Sequence, residues 1–430
     1  MIDRYCTPAM SAIWSRQAKY EKWLQVELAI GRAHAEFGNI PSAAFAEIAS
    51  KATFDLVRCD ELEKETRHDL MAFVRNVSEN VGESGKYFHF GVTSYDVIDT
   101  ALGMMLRDSC GVLIESAERL AGEIARLAKE HAETPAIGRT HAIHAEPITF
   151  GFKLAGWYAE LRRSIDRLHA CKKEVAVGKV SGAVGIHAHT DPLMEAKVCE
   201  YLGLEVDPVS TQIVNRDRHA NFLSTIALLG AALERFATEL RNLQRTEIYE
   251  VQEAFASGQT GSGRIPHKRK PWNSETVCGL ARVLRSNAHA MTESVATWHE
   301  RDLTNSSLER IVLPDSCQLA DFMLNRMTTI LKGLVVFPEK MKANLQMMGE
   351  LVFSEHVMVA LIGKGMLREE AYKVAQRNAA KAWDGADFKT EVARDPDVVS
   401  RLSQEEIDEI FSLDHHLRNA RYSLKAAGIE

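Results

Sequence analysis

The chain of 430 residues has no closely paired cysteines, no long apolar run and no excess of positive charge. Its seven cysteines are scattered, odd in number and never spaced as C-x-x-C, which fits a reducing compartment and argues against a zinc ribbon. No apolar run approaches the length that crosses a membrane, and the first residues lack the charged-then-apolar pattern of a signal peptide. We therefore expect a cytoplasmic protein that has no membrane partner.

The net charge of −7 at pH 7 argues against nucleic acid as the main partner. Any basic cluster is then better explained as a local anion site. Apolar residues make up 46% and charged residues 26% of the chain, as in ordinary globular proteins. The length allows two or three domains with an ample core.

Strands, repeats and low-complexity tracts are not evident, and helical periodicity dominates the sequence. Apolar residues recur every three to four positions over 106–127, 154–168 and 222–243, and 276–297 and 319–348 resemble further long helices. Such seams predict a long antiparallel bundle. Leu223 and Leu228 lie off the seam, so we expect the bundle helices to pack against other subunits as well. We predict an all-α fold with domains 1–93, 94–341 and 342–430.

A glycine-rich segment with a basic run follows one of the long helical patterns. Gly258, Gly261 and Gly263 surround Ser262, and His267-Lys-Arg-Lys270 comes next. The pattern is typical of a mobile loop that carries Ser262 over a site with Lys268 beside it. A solvated basic linker is the alternative. A phosphate-binding P-loop is not supported, because its motif is incomplete and no strand precedes it.

His141 lies in Gly138-Arg-Thr-His-Ala-Ile-His-Ala-Glu-Pro147. We expect it at a helix entrance, where a histidine is well placed as a proton donor near neutral pH. A metal site formed by His141, His144 and Glu146, with metal-dependent hydrolysis, is an alternative. It needs a converging third ligand that the spacing alone does not supply.

Two further groups suggest anion binding. Thr93 and Ser94 follow His89 and place two hydroxyls at a turn or helix start, which suits a carboxylate. Capping of the next helix by one of them is the alternative, and the two roles are compatible. Arg301, Ser306 and Arg310 place two guanidiniums and a hydroxyl where they could meet one phosphate. A salt-bridged helix face is the alternative for this second group.

Several spaced motifs occur in order along the chain: Thr93-Ser-Tyr-Asp-Val-Ile-Asp-Thr-Ala101, Gly138-Arg-Thr-His141, Ser181-Gly-Ala-Val-Gly185, Thr211-Gln-Ile-Val-Asn-Arg-Asp217 and Ile265-Pro-His-Lys-Arg269. The set resembles the fumarase/aspartase superfamily and, within it, the adenylosuccinate lyases. The resemblance covers essentially the whole length. It implies a three-domain all-α fold in which the long helices of four subunits form one central bundle, with active sites built from three subunits.

The resemblance implies a cofactor-independent anti β-elimination. Fumarate would be released from adenylosuccinate, giving AMP, and from the earlier succinylocarboxamide ribotide of purine synthesis. Such a reaction needs a base, a proton donor, and fixed groups that meet the charge developing on the carboxylate.

By resemblance, Ser262 is the base, helped by Lys268, and His141 protonates the departing nitrogen with Glu275 orienting it. No metal is expected. The resemblance assigns other residues to the substrate: Thr93, Ser94, Gln212 and Lys270 to the succinyl carboxylates, Arg4, Tyr5, Arg301, Ser306 and Arg310 to the phosphate, and His68, Asp69 and His89 to the lining of the site.

The chain departs from the family pattern mostly around the succinyl group. Gly263 replaces a second serine, Lys270 replaces an asparagine and Tyr95 replaces a small residue. A related enzyme for another succinylated amine and a 3-carboxymuconate cycloisomerase-like enzyme are therefore alternatives, although the phosphate set favours a nucleotide. A non-catalytic helical assembly protein is a third alternative, and the retained acid, base, lysine and glutamate argue against it.

Overall fold

A computed structural model describes residues 2–255, 264–265 and 267–430. About 70% of the chain is helical. The predicted all-α class is therefore confirmed. Ser262, Gly258, Gly261 and Gly263 lie outside the described residues.

Short and medium helices open the chain, and several start at capping side chains. Thr7, Ser15 and Asp55 each accept a hydrogen bond from a backbone N–H of the first helical turn. Tyr20, Trp23 and Phe73 then pack ring against ring to form the core of this region. The helices are α1 (Pro8–Trp14), α2 (Arg16–Glu36), α3 (Ser42–Lys51), α4 (Leu56–Thr66) and α5 (Asp69–Val81), with 3-10 turns at Asp3–Tyr5 and Glu83–Tyr87.

Long helices dominate the middle of the chain, as the apolar periodicity predicts. The longest has 37 residues and is therefore about 55 Å long at 1.5 Å per residue. Its Gly103 permits close packing, because a Cβ there would lie 2.2 Å from the carbonyl oxygen of Val177. The bounds are α6 (Ser94–Glu130), α7 (Phe150–Val175), α8 (Pro192–Leu202), α9 (Asp217–Leu243), α10 (Trp272–Glu293) and α11 (Thr304–Lys332).

Short strands join these helices, although no strand pattern is evident in the sequence. The largest pair is an antiparallel hairpin with a bulge between Ile137 and Arg139. Two further pairs contain two residues per strand, a length at which alternation cannot be recognised. The strands are β1 (Pro135–Thr140) with β2 (Ile143–Thr149), β3 (Val177–Gly178) with β4 (Glu205–Val206), and β5 (Val251–Gln252) with β6 (Val335–Val336).

The carboxyl-terminal helices surround a separate apolar core that includes Val357, Leu361 and Phe388. The stretch Pro338–Gly363 is long and apolar enough to cross a membrane by length and composition. It is not one continuous helix, because Gly349 has non-helical φ and ψ of 54° and −143°. The helices are α12 (Pro338–Leu345), α13 (Ser354–Gly363), α14 (Arg368–Trp383), α15 (Phe388–Arg394), α16 (Pro396–Val399), α17 (Gln404–Ile410), α18 (Leu413–Leu417) and α19 (Ala420–Ala426), with a 3-10 segment at Gln346–Phe353.

The chain divides into two compact units, each assembled from separate stretches. Unit 1 contains 1–118, 163–234 and 277–326, and unit 2 contains 119–162, 235–276 and 327–430. Each unit includes part of each of the helices α6, α7, α9, α10 and α11. The three-domain division drawn from the sequence stays a prediction.

Candidate active site

His141 lies at the tip of the β1–β2 hairpin in unit 2. Thr140 pairs with Ile143, so His141-Ala142 is a two-residue turn, which we call the hairpin tip. Both residues have positive φ, 53° and 63°, as in a type I′ turn, where Asn-Gly is favoured. The expected helix entrance at His141 is wrong, because the helix begins only at Phe150. The turn presents an exposed histidine from a left-handed backbone that carries a steric cost.

A buried carboxylate holds the hairpin just behind its tip. Arg139 donates from both terminal nitrogens to Glu250, at 2.5 and 3.3 Å. Asn344 donates to the same carboxylate at 2.8 Å and to the Ile248 carbonyl at 2.7 Å. The side chain of Glu250 is only 2% exposed. Because its charge is paired and hydrogen-bonded, the buried glutamate can fix the hairpin without an unpaired charge.

Glu253 precedes the glycine-rich segment in the sequence and binds the start of α10, which follows that segment. Its carboxylate accepts from the Ser274 backbone N–H at 2.8 Å and the Ser274 hydroxyl at 2.6 Å, and also from Asn273. A carboxylate at the first turn of α10 satisfies free N–H groups and complements the helix dipole. This anchor holds the start of the helix that carries Glu275.

The remaining catalytic residues predicted in unit 2 are exposed. Lys268, Lys270 and Glu275 all face solvent, and Ser262 lies outside the described residues. In the part of the chain that the structure describes, His141 and Glu275 share no hydrogen bond. The described part of the chain therefore presents His141 and Glu275 without joining them.

In unit 1, a cavity of about 330 Å³ brings several predicted substrate residues together, and we call it the anion cavity. Asp69, Ser306 and Arg310 line it. Its wall also contains residues that sequence reasoning did not select: Trp14, Arg16, Lys19, Trp23, Tyr95, Ile98, Leu102, Met105, Glu309, Leu313 and Pro314.

Asp69 is the electrostatic centre of this cavity. Arg310 donates to its carboxylate at 2.8 Å, and the Lys19 ammonium lies 3.5 Å from the same oxygen. Burial alone would raise the pKa of Asp69, but the charges of Lys19 and Arg310 outweigh that effect and lower it. Burial lowers the pKa of Lys19, whose ammonium also lies over the Trp23 ring, 4.4 Å from its centroid. Three cations, Arg16, Lys19 and Arg310, line the cavity against two carboxylates, Asp69 and Glu309, which leaves positive charge for an anionic ligand.

Arg301 and Gln212 meet beside the same cavity. Arg301 donates to the Gln212 side-chain oxygen at 3.0 Å, and its guanidinium lies over the Tyr95 ring. The Gln212 amide nitrogen donates to the Ala183 carbonyl at 3.0 Å. The hydrogen bond between Gln212 and Ala183 joins two loops, 178–192 and 207–216, that interrupt the helical pattern of the sequence.

The predicted carboxylate-binding hydroxyls stand at the start of α6. Asp96 accepts from the Thr93 backbone N–H at 2.8 Å, and Ser94 lies 3.4 Å from His68. Asp96 also pairs with Lys179, and both side chains are fully buried. The same Asp96 carboxylate accepts from the Ser181 and Gly182 backbone N–H groups, each at 3.2 Å. The Ser181–Gly185 motif and the start of α6 are thus held as one structure.

His89 lies in a left-handed backbone, with φ of 62°, and is held by Glu27 at 2.6 Å. Burial would lower the pKa of His89, but the Glu27 charge and hydrogen bond outweigh it and raise the pKa. His68 caps α5 and is partly exposed. These contacts give both histidines structural partners in addition to their predicted place at the site.

A buried ion cluster lies beneath the cavity wall. Arg216 makes paired hydrogen bonds to Asp99, at 2.6 and 2.9 Å, and to Glu309, at 2.7 and 3.0 Å. The Arg216 side chain is 0% exposed. Burial lowers the pKa of the neighbouring His219 to about 3, and the charge of Arg216 adds to this, so His219 is neutral. The cluster ties the Thr211–Asp217 motif to α6 and α11.

Arg4 and Tyr5 are not beside Arg310 within one chain. The Tyr5 ring packs against Phe322 on α11 at 5.1 Å between centroids, and Arg4 is exposed. Phe322 lies three helical turns beyond Arg310, about 18 Å along the helix axis. A phosphate held by Arg310 would therefore need another arrangement, or another chain, to reach Arg4 and Tyr5.

Comparison with known proteins decides the family. A family model described as lyase matches residues 4–285, and one described as adenylosuccinate lyase C-terminus matches residues 350–426. An adenylosuccinate lyase from Synechocystis sp. is 51% identical over 421 residues, which are 97% of this chain and 98% of that protein. That of Bacillus subtilis is 46% identical over the full length of both. The chain belongs to the adenylosuccinate lyase family. The family predicted from the spaced motifs is thereby confirmed.

Solved structures extend the family likeness to the superfamily. A fumarate lyase from Mesorhizobium sp. BNC1 has 27% identity and a TM-score of 0.90, with 99% of both chains covered. A 3-carboxy-cis,cis-muconate lactonizing enzyme from Pseudomonas putida has 29% identity and a TM-score of 0.88, covering 98% of this chain and 96% of that one. The fumarase/aspartase-type fold predicted from the sequence is therefore confirmed.

Proposed function

We propose that the chain is a cofactor-independent lyase that eliminates fumarate from adenylosuccinate to give AMP, and also acts on the earlier succinylocarboxamide ribotide of purine synthesis. The observation that carries the proposal is the 51% identity to a curated adenylosuccinate lyase along nearly the whole of both chains. The anion cavity adds physical support, because its excess of positive charge suits a phosphate-bearing substrate.

In the proposed reaction, Ser262 removes a proton from the carbon beside a succinyl carboxylate. The new double bond forms as the C–N bond breaks, and the electron pair of that bond goes to nitrogen. His141 donates the proton that the nitrogen takes up, so the products are fumarate and the free amine. Lys268 and the hydroxyls of Thr93 and Ser94 would meet the charge that builds up on the carboxylate.

Different residues would bind the phosphate and the succinyl part of the substrate. Arg301, Ser306 and Arg310 would hold the phosphate, with Asp69 releasing Arg310 as the phosphate arrives and keeping Lys19 as its partner. Gln212 and Lys270 would hold the succinyl part. Lys270 is a longer and charged replacement for the asparagine usual in the family, so its reach to a carboxylate differs.

We propose a homotetramer with shared active sites, working in the cytoplasm. Two features support shared sites: His141 and Glu275 are exposed and unjoined in one chain, and apolar side chains on the long helices face outward. Leu228 is 54% exposed on α9, and Ile311 is 63% exposed on α11. Of the two leucines predicted to lie off the seam, Leu228 is exposed and available to a partner subunit, whereas Leu223 is buried within the chain.

An assay of the purified protein with adenylosuccinate tests the function directly. Production of fumarate and AMP, with Ser262→Ala forming little of either, is the expected result. If a folded wild-type protein forms no fumarate, the proposed reaction is wrong. A parallel assay with 3-carboxymuconate then decides whether the chain acts like its muconate-lactonizing neighbour.

A further inference from the structure

No function is assigned to Tyr95 among the predicted roles of the site residues. It is the second residue of α6, directly after Thr93 and Ser94, and is 6% exposed. It also lines the anion cavity.

The side chain contacts two of the groups expected to bind phosphate. The guanidinium carbon of Arg301 lies 3.6 Å from the centroid of the Tyr95 ring, and Ser306, which lines the same cavity, interacts with the Tyr95 hydroxyl. A guanidinium over an aromatic face is attracted by the ring electrons, most strongly where water is excluded. Burial raises the pKa of Tyr95, so its hydroxyl stays neutral beside an incoming anion.

Stacking fixes Arg301 without using all of its N–H groups. The guanidinium donates in its own plane, whereas the tyrosine ring contacts its face. One terminal nitrogen donates to Gln212, and the buried Nε has no acceptor among the described residues. A buried N–H without an acceptor is costly. An anionic ligand in the cavity would supply acceptors to a guanidinium that is already oriented.

We propose that Tyr95 is a positioning residue that holds Arg301 and Ser306 in the orientation that binds the anionic group of the substrate. The ring orients Arg301, and the hydroxyl orients Ser306. Only the identity of the anion, a nucleotide phosphate, rests on the proposed function. Tyr95 acts through its two neighbours and takes no part in proton transfer.

Steady-state kinetics of Tyr95→Phe and Tyr95→Leu separate the two contacts. Phenylalanine keeps the stacked ring and loses the hydroxyl that interacts with Ser306, so KM for adenylosuccinate should rise about 3- to 5-fold. Leucine loses both contacts, so KM should rise about 10- to 50-fold. In both variants kcat should stay within about 3-fold of the wild type, because the reacting atoms are elsewhere. Phe222→Leu, a fully buried aromatic of α9 outside the cavity, controls for general loss of packing and should leave KM unchanged.

Calorimetric titration with AMP, and with inorganic phosphate, keeps this test separate from the proposed reaction. The affinities should fall in the order wild type, Tyr95→Phe, Tyr95→Leu. A wild type that binds AMP but does not cleave adenylosuccinate would overturn the reaction, and the order of AMP affinities would still decide the role of Tyr95. Equal AMP affinities in the three proteins, or a fall in kcat with KM unchanged, would overturn the positioning role. A wild type that binds neither AMP nor phosphate would overturn both proposals.

Discussion

The hairpin tip and the anion cavity carry their functional groups in opposite ways. At the tip, His141 is exposed, stands on a left-handed backbone and has no hydrogen-bond partner among the described residues. In the cavity or directly beside it, Asp69, Arg301 and Arg310 each have a charged or aromatic partner in the same unit. The predicted phosphate-binding arginines thus have partners within one unit, whereas the predicted proton donor is exposed to solvent.

In the proposed homotetramer, this difference would separate the groups that one chain organises from the groups that a partner subunit completes. Charged groups that bind a substrate must be held before it arrives, because ordering them during binding would weaken affinity. A proton donor needs only to reach the departing atom at the right moment. The exposed tip is held at its base by Arg139 and Glu250, so its position is fixed although its reactive end is free.

The largest effect should come from removing the group at the tip. His141→Ala should lower kcat by about 10²- to 10⁴-fold, because general-acid help with the leaving nitrogen is lost. KM and the unfolding temperature should change little, since the side chain is exposed. His169→Ala, an exposed histidine of α7, is the matched control and should keep wild-type kcat.

Mixing two inactive variants tests whether the tip serves a site in another subunit. His141→Ala and Ser262→Ala are each expected to be nearly inactive. After joint unfolding and refolding, some shared sites would contain both native residues, so fumarate production should return in the hybrids. Hybrids as inactive as their parents would show that one chain supplies both residues to its own site.

The second largest effect should come from removing Arg216, the cation of the buried ion cluster beneath the cavity wall. Arg216→Met leaves Asp99 and Glu309 buried without their cation, so the free energy of unfolding should fall by about 3–5 kcal/mol. Urea unfolding measures it. Arg126→Met is the control: its pairs with Glu123 and Glu130 are solvent-exposed and should contribute no more than about 1 kcal/mol. Equal losses in the two variants would refute the distinction.

Arg301→Leu should act on binding and spare stability. Loss of the charge that meets the phosphate should raise KM about 10- to 100-fold, while the unfolding temperature stays close to that of the wild type. The Tyr95 ring remains in place to fill the space. An unchanged KM in a folded Arg301→Leu protein would remove this arginine from the phosphate site.

A smaller effect should come from relieving the backbone at the tip. Ala142 has φ of 63°, which glycine adopts without steric cost, so Ala142→Gly should raise the free energy of unfolding by about 0.5–1 kcal/mol. Ala52→Gly is the matched control, because φ there is −64°, and it should lower stability by a similar amount. If both substitutions lower stability alike, the turn at 142 carries no strain.

The smallest effect concerns a carboxyl pair farther along the hairpin. A hydrogen bond with Glu355, together with burial, raises the pKa of Glu146 to about 7. The folded state therefore binds more protons than the unfolded state between pH 4.5 and 7, and stability should fall as pH rises through that range. Glu146→Gln should remove this pH-dependent loss of stability. The loss should amount to no more than about 1 kcal/mol over the range, since the pair is partly solvated. Parallel unfolding-temperature profiles for the two proteins would exclude the effect.

Helical periodicity was sufficient to predict the long helices, because each apolar seam runs over several turns. The hairpin was missed because its turn is His-Ala rather than Asn-Gly, so the usual hairpin signal is absent. Arg301, Ser306 and Arg310 could be selected from their spacing in one short stretch of the sequence. Lys19 and Tyr95 could not, because they reach the cavity from other helices, and only tertiary packing brings such residues together. Glu253 was missed because it caps a helix across a loop.

The left-handed backbone at position 141 limits which residue types can occupy that position. Among residues other than glycine, asparagine, aspartate and histidine tolerate left-handed φ best, while β-branched side chains are excluded sterically. Histidine is also the side chain whose ordinary pKa lies nearest to neutral pH. Two unrelated requirements, one of local geometry and one of proton transfer, thus converge on the same residue. A replacement acid would have to satisfy the turn before its chemistry could matter.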